Sequence, residues 1–251
     1  MGRRLALAAA VLLAVALVGD VSGQARPIQN PRHAIFVRAP EPFAHATART
    51  KPRPPGTLVA LVEPGRVVAL RSAPGGPVVA RVGAHTEFGS PRTFAVTGHG
   101  LQVITTELPN GRRGWVDGKG ALRLSRTRVT LDVDLSTRVL RVHVGRNVLR
   151  AMRVGIGAPG TATPTGRFAI TDKLAGSRYS SVYGCCILAL SAIQTSLPRG
   201  WTGGDRIAIH GTLSQSDFGQ AVSAGCVHAR DNDLRWLMRV VPLGTPVVIR
   251  P

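Results

Sequence analysis

Apolar and polar residues alternate most regularly in the second half of the chain. Between residues 129 and 135 every second side chain is apolar, which is the period of a half-buried β-strand. The alternation returns at 140–144, and a third apolar run extends over 149–157. Gly145-Arg146-Asn147 separates the last two runs and predicts a hairpin turn. The pattern predicts a mainly β domain over residues 126–251.

Shorter β-type runs, separated by Gly and Pro, occupy residues 56–125. The runs are Thr57–Val62, Val78–Val82 and Leu101–Ile104. Turn sequences lie between them, such as Asn110-Gly111. These signals predict a small β module. Only Phe88, Phe94 and Trp115 are available to line a peptide groove on it, so such a groove would be thin.

One stretch has a helical period. Leu234, Leu237 and Val241 fall on one face of a short helix, together with the methionine at 238. Asp231 or Asn232 is expected to cap its N-terminus. A proline and a glycine then end it, and a last apolar run predicts a closing strand.

Residues 1–23 have the features of a secretory signal peptide. Arg3 and Arg4 precede an apolar run over 5–18, which is shorter than the roughly 20 residues that a membrane span needs. Val21-Ser22-Gly23 supplies small residues for cleavage. We therefore expect a secreted protein in the cell wall or a periplasm-like space. A retained N-terminal anchor is the alternative.

Residues 24–55 are rich in Pro, Arg and Ala and show no apolar period. Proline fixes φ and removes an amide donor, so a proline-rich run does not extend a helix or a sheet. The segment is predicted to be a linker.

The chain is strongly basic, with 32 Lys and Arg against 13 Asp and Glu and a net charge of +19. Such charge suits nucleic acid or another anionic polymer. The arginines are scattered and no nucleic-acid module is recognisable, so we expect no nucleic-acid partner. An anionic cell-wall polymer and a plain solvated basic surface both remain open.

Three cysteines leave one unpaired in an oxidising compartment. Cys185 and Cys186 are adjacent, and Cys226 stands apart. We favour a free Cys226, with the neighbours reduced or paired only with each other. The alternative pairs Cys226 with one of them as a structural bridge.

The strongest chemical signal is a histidine placed sixteen residues ahead of a cysteine turn, in His210-Gly211 and Ser223-Ala224-Gly225-Cys226. A free thiol ionises only near pH ~8.5, so a nearby imidazole that takes its proton makes it a nucleophile. The imidazolium that forms then stays paired with the thiolate. The backbone N–H groups of Gly225 and Cys226, with Ala224, are expected to stabilise an oxyanion.

These motifs resemble the L,D-transpeptidase catalytic domain family of the YkuD type, as does the turn Thr163-Pro164-Thr165-Gly166. The resemblance implies a YkuD-like β-sandwich with short helices. It implies Cys226 as nucleophile, His210 as base and the Gly211 carbonyl as the group that orients the imidazole. The segment 56–125 more weakly resembles bacterial SH3-like domains, which are small β-barrels.

The resemblance also implies a substrate and an inhibitor class. The enzyme would form 3→3 crosslinks between peptidoglycan stem peptides, a tetrapeptide donor and an acceptor amine, without a cofactor. Carbapenem-type β-lactams would acylate the cysteine.

We predict substrate contacts from five residues near these motifs. The set is Ser223, His228, Tyr179, Tyr183 and Arg178. Tyr179, Tyr183 and Arg178 lie where the family forms a lid over its substrate channel. His228 departs from the family, because many members have arginine at that position.

Two other functions remain open. Water in place of the acceptor amine would make the protein an L,D-carboxypeptidase, and the SH3-like module alone would make it a non-catalytic wall-binding protein. A zinc site built from His210, Cys226 and His228 is disfavoured, because structural zinc usually takes four ligands with closer pair spacings.

Overall fold

A computed structural model describes residues 56–251 and shows a mainly β protein with two large sheets. The predicted signal peptide (1–23) and linker (24–55) lie outside the described residues. Within 56–251, no helix is both long and apolar enough to cross a membrane.

Seven strands form the first sheet, which is antiparallel throughout. They are β1 (Thr57–Val62), β2 (Val67–Arg71), β3 (Val78–Gly83), β4 (Thr93–Val96), β5 (Gln102–Ile104), β6 (Gly114–Asp117) and β7 (Leu122–Thr127). Their order across the sheet is β3-β2-β6-β5-β4-β1-β7. Alternate side chains, among them Val62, Leu70 and Phe94, pack into one core. Phe94 is thus a core residue and not part of a peptide groove.

Eight strands form the second sheet, and two short strands form a third. The strands are β8 (Val129–Asp134), β9 (Val139–Val144), β10 (Asn147–Arg153), β11 (Ile156–Gly157), β12 (Gly166–Ala175), β13 (Cys186–Ile193), β14 (Arg206–His210), β15 (Ala221–Ser223), β16 (Val227–His228) and β17 (Pro246–Arg250). The eight-stranded order is β10-β9-β8-β17-β12-β13-β14-β16, and β11 pairs with β15.

The predicted hairpins of the second sheet form as expected, since Leu131 and Leu140 are fully buried and β9 turns into β10 at Gly145. The third run, however, is not one strand. β10 ends at Arg153, and the chain then leaves the sheet to pair β11 in parallel with β15. Glycine is needed at position 155, where the chain leaves the sheet. A Cβ there would lie only 2.7 Å from the Asp217 carbonyl oxygen.

The single α-helix of the described residues, α1 (Asp231–Val240), buries the predicted apolar face. Leu234 and Leu237 are completely buried in the core of the second sheet. The predicted cap is wrong, because Arg230 holds the N-cap position without a side-chain hydrogen bond. Asp231 Oδ1 instead accepts a hydrogen bond from the Cys185 amide at 3.1 Å.

The closing strand β17 lies inside the second sheet. It runs parallel to β8 and antiparallel to β12. Arg250 near its end binds both carboxylate oxygens of Asp132 on β8, at 2.9 and 3.0 Å. The two halves of the sheet therefore meet only through β17.

The two large sheets belong to one compact unit and touch through polar side chains. Asn110, in the predicted turn of the first sheet, donates to the Ile193 carbonyl at 2.6 Å and accepts from the Ile193 amide at 2.9 Å. Thr86 donates to the buried carboxylate of Asp172 on β12. The first sheet is thus fixed against the strands that carry the candidate site.

Candidate active site

A single cleft of about 650 Å³ gathers most of the residues singled out from the sequence. The cleft residues used below are Phe88, Tyr179, Tyr183, Gln194, Arg206, His210, Ser223, Ala224, Cys226 and His228. The cleft lies over β13 and β14, beside the turn that follows β15.

Strand β14 aims His210 into this cleft. Successive side chains of a strand point to opposite faces, so Arg206, Ala208 and His210 share one face. Ile207 and Ile209 point the other way and are buried in the core. The core therefore fixes the direction of the imidazole.

The backbone of Gly211 orients the imidazole, as the resemblance implies. His210 Nδ1 lies 2.6 Å from the Gly211 carbonyl oxygen. A carbonyl only accepts hydrogen bonds, so in the neutral ring Nδ1 carries the proton and Nε2 keeps its lone pair. Tyr183 supports the ring edge-to-face, with ring centroids 4.8 Å apart.

A glycine at position 211 is required by close backbone packing. A Cβ there would lie 2.7 Å from Gly184 Cα and 2.8 Å from Asp231 Oδ1. The Gly211 amide donates to the Tyr183 carbonyl at 2.8 Å. This contact connects the carbonyl that orients the imidazole to the tyrosine that supports it.

The cysteine turn is held from inside by Ser223 and Gln194. Ser223 Oγ accepts from the Gly225 amide at 3.0 Å and donates to the Cys226 carbonyl at 2.6 Å. Gln194 Nε2 lies 3.1 Å from the Ala224 carbonyl. Gly225 has φ +120°, and a Cβ on it would lie 2.3 Å from Gln194 Nε2. Only glycine fits there.

These contacts change two expectations. The Gly225 amide is occupied by Ser223 Oγ, so it is not an oxyanion donor in this conformation. The amides of Ala224 and Cys226 donate to no acceptor among residues 56–251 and remain open. Ser223 borders the cleft but is only 6% exposed, and its hydroxyl is engaged on both sides, so in this conformation the hydroxyl shapes the turn and is not available to a substrate.

The thiol of Cys226 contacts the backbone of β14. Its Sγ donates to the Arg206 carbonyl at 3.9 Å and makes no hydrogen bond with the imidazole. Burial raises the pKa of the Cys226 thiol to about 11. Burial, with the neighbouring His228, lowers the pKa of His210 to about 4. The resting site therefore favours an uncharged thiol and imidazole, where we expected an ion pair.

His228 lies beside His210 and is held by Asp217. The two imidazole centroids are 4.9 Å apart. His228 Nδ1 is 2.8 Å from Asp217 Oδ2, which also accepts from Thr212 Oγ1 at 2.7 Å. Burial opposes ionisation of Asp217, but the hydrogen bonds from Thr212 and His228 hold its pKa below the ordinary value. The carboxylate thus orients His228.

The adjacent cysteines form a disulfide bond with each other, and Cys226 is free. Cys185 also anchors to α1, since its amide donates to Asp231. The structure has the pairing we favoured and not a bridge to Cys226.

The predicted substrate contacts divide into two groups. Tyr179, Tyr183, His228 and the largely buried Ser223 line the cleft. Arg178 is exposed and does not line it. Arg178 ends a short turn of 3-10 helix whose next residue, Tyr179, is the one that reaches the cleft. Among the described residues, no group of three or more His, Cys, Asp and Glu side chains is arranged to hold a metal ion.

The second half of the chain matches a known family. Residues 128–249 match the L,D-transpeptidase catalytic domain family YkuD. The chain is 30% identical over 119 residues to YkuD of Bacillus licheniformis, a protein named as an L,D-transpeptidase, and 28% identical over 117 residues to that of Bacillus subtilis. Each match covers 47% of this chain and spans 64% and 63% of those relatives.

Solved structures of L,D-transpeptidases are also similar to this chain. An L,D-transpeptidase from Mycobacterium smegmatis is 20% identical, covers 55% of this chain and 73% of its own, and has a TM-score of 0.38. The assignment rests on the sequence match and not on this likeness. By this sequence match, residues 128–249 of this chain are similar to the YkuD family of L,D-transpeptidase catalytic domains.

Three residues of the site were not assigned to it from the sequence. Gln194 lines the cleft and Asp217 ends a short 3-10 turn behind it, and each acts through a partner 30 or 11 residues away. Phe88 comes from the first sheet. The apolar patterns of the two halves carry no sign that they share a cleft.

Proposed function

We propose that this protein is an exported, cysteine-dependent L,D-transpeptidase that forms 3→3 crosslinks between peptidoglycan stem peptides. The observation that supports it most is the convergence in one cleft of Cys226, the free Nε2 of His210 and the open amides of Ala224 and Cys226. Acyl transfer through a thioester needs this set of groups. The signal-like pattern of residues 1–23 supports export.

In the first half-reaction, the thiol rotates from the Arg206 carbonyl toward His210. Cys226 Sγ attacks the carbonyl that joins the diamino acid to the terminal D-alanine, and Nε2 takes the thiol proton. The carbonyl electron pair moves to oxygen, where the amides of Ala224 and Cys226 donate to it. The C–N bond then breaks, Nε2–H protonates the departing D-alanine amine, and a thioester remains on Cys226.

In the second half-reaction, an amine of a neighbouring stem peptide attacks the thioester. His210 takes a proton from that amine, the C–S bond breaks, and the sulfur is protonated again. Water in place of the amine would release a tripeptide, which is the carboxypeptidase alternative.

The low basicity of His210 sets the timing of the proton transfer. An imidazole with a pKa of about 4 is neutral at pH 7, and a thiol with a pKa of about 11 is protonated there. A free thiolate is therefore scarce before substrate arrives. The thiol loses its proton as sulfur attacks, and the imidazolium that forms is short-lived.

Intact-protein mass spectrometry of the full chain with a stem tetrapeptide tests the proposal. We expect an adduct that is tripeptide-sized, is absent in Cys226→Ala and forms much more slowly in His210→Ala. His99→Ala is the matched control, because His99 is exposed on the first sheet. A carbapenem should label the same thiol.

Adding an acceptor peptide separates the alternatives. A crosslinked product supports the transpeptidase, and free tripeptide alone, with and without acceptor, supports the carboxypeptidase. If reduced, folded protein forms no adduct with either reagent, the acyl-enzyme mechanism is wrong and wall binding becomes the better account.

A further inference from the structure

The cleft has a second end, away from the paired histidines. Arg206 and His210 lie on the same face of β14, four residues apart, which is about 13 Å along a strand. The Cys226 thiol lies between the two ends and reaches toward this one, since it contacts the Arg206 carbonyl. An extended peptide acyl donor that reaches Cys226 would therefore run along this end as well.

The wall at this end comes from the first sheet. Phe88 sits in the turn between β3 and β4 and is half-buried. Its ring packs against an apolar cluster that contains Leu174, Ile187 and Ala208, with Cys226 at the margin of the same cluster. The Tyr179 ring meets it edge-on, with centroids 6.2 Å apart. Phe88 is thus a cleft residue although its strands belong to the other sheet.

Arg206 fixes the Phe88 turn in place. Its guanidinium carbon lies 5.6 Å from the centre of the Phe88 ring, and Nη2 is paired with Glu87. Nη1 is 4.0 Å from the buried Asp172 carboxylate, which also accepts a hydrogen bond from Thr86. Two carboxylates thus face this cation and compensate its charge. What the turn offers to a ligand is the part of the half-buried Phe88 ring that Arg206 and Tyr179 leave uncovered.

We propose that Phe88 is a specificity-determining residue of the cleft, whose ring contacts an aliphatic part of the peptide acyl donor near Cys226. The inference rests on the proposed function and deepens it. It makes the first sheet a contributor to the substrate site. Phe88 takes no part in bond making, so its loss weakens donor binding and leaves the thiol chemistry intact.

Equilibrium binding on the full chain measures this without turnover. Affinity for a stem tetrapeptide is compared by calorimetry between Cys226→Ala and Cys226→Ala/Phe88→Ala. We expect about tenfold weaker binding in the double variant, and recovery in Cys226→Ala/Phe88→Tyr, which keeps the ring. Val79→Ala in the same background is the matched control, because Val79 is 45% exposed on β3 and outside the cleft.

Kinetics of the single variant separate substrate contact from a structural role. With Cys226 intact, Phe88→Ala should raise KM for the tetrapeptide about tenfold. kcat and the rate of alkylation of Cys226 by iodoacetamide should stay within about twofold. A raised KM that is accompanied by an equally slower alkylation and by a lower unfolding midpoint would mean that Phe88 only supports the fold.

The inference and the proposed function fail in different ways. Tetrapeptide that binds but is never turned over would remove the proposed function and leave the Phe88 contact standing. Unchanged affinity in the double variant would overturn the Phe88 contact while turnover by the wild type continued. Absence of any tetrapeptide binding to Cys226→Ala would also overturn it.

Discussion

Burial of the His210 imidazole makes the stability of the fold depend on pH. The pKa of His210 falls from 6.5 to about 4 in the folded protein, chiefly because burial disfavours the charged ring. Between these two values the unfolded chain binds a proton that the folded chain does not bind. Stability is therefore full above pH 6.5 and declines as the pH falls toward 4. One pKa unit corresponds to about 1.36 kcal/mol, so the loss by pH 4 is about 3 kcal/mol.

A double difference isolates this contribution. Urea unfolding of wild type and His210→Gln is measured from pH 7.5 to pH 4, since glutamine does not titrate. The wild type should lose about 3 kcal/mol more than the variant over this range. His99→Gln, at an exposed position, should follow the wild type. Parallel losses in wild type and His210→Gln would refute the buried, neutral imidazole.

Four further results are expected. Gly225→Ala should lower the free energy of unfolding by about 1–3 kcal/mol and abolish acylation, because φ is +120° there; an adduct at the wild-type rate would contradict this. Asp217→Asn should raise KM for the tetrapeptide by about tenfold with folding intact, because His228 loses a charged partner; unchanged kinetics would show that the pair is structural. Asn110→Ala should cost about 1–3 kcal/mol in urea unfolding, since it breaks both hydrogen bonds with β13; an unchanged midpoint would contradict a firm junction between the sheets. Alkylation of Cys226 by iodoacetamide should be slow at pH 7 and rise toward pH 11; a plateau by pH 9 would indicate an unburied thiol.

The local elements could be predicted because burial leaves a period in the sequence. Alternation over 129–135 and the spacing of Leu234 and Leu237 gave a strand and a helix that the structure contains. The helix cap failed because the Asp231 carboxylate is used by the Cys185 amide, a contact that tertiary packing creates. The prediction of one strand over 149–157 failed for a similar reason. Backbone 62 residues further along the chain occupies the space beside Gly155, and the strand breaks there.

Part of the site could also be predicted, because it too is formed by local segments of the chain. His210-Gly211 and the turn before Cys226 are local backbone arrangements, and their residue types can be recognised in sequence. The state of the site is not local. Whether the Gly225 amide is free depends on the rotamer of Ser223, and the protonation of His210 depends on burial by several strands. Contacts between distant segments, such as Phe88 with Arg206, leave no period at all.

The position of β17 determines the order in which the second sheet can assemble. Residues 246–250 are translated after β8 and β12, yet they lie between those two strands and bond to both. Until they emerge, the strand that carries His210 and the hairpin of β8 and β9 have no common hydrogen-bonded sheet. The eight-stranded sheet is thus completed only after synthesis of the strands on either side of β17, and a chain released before Pro246 would lack the strand that joins its two halves.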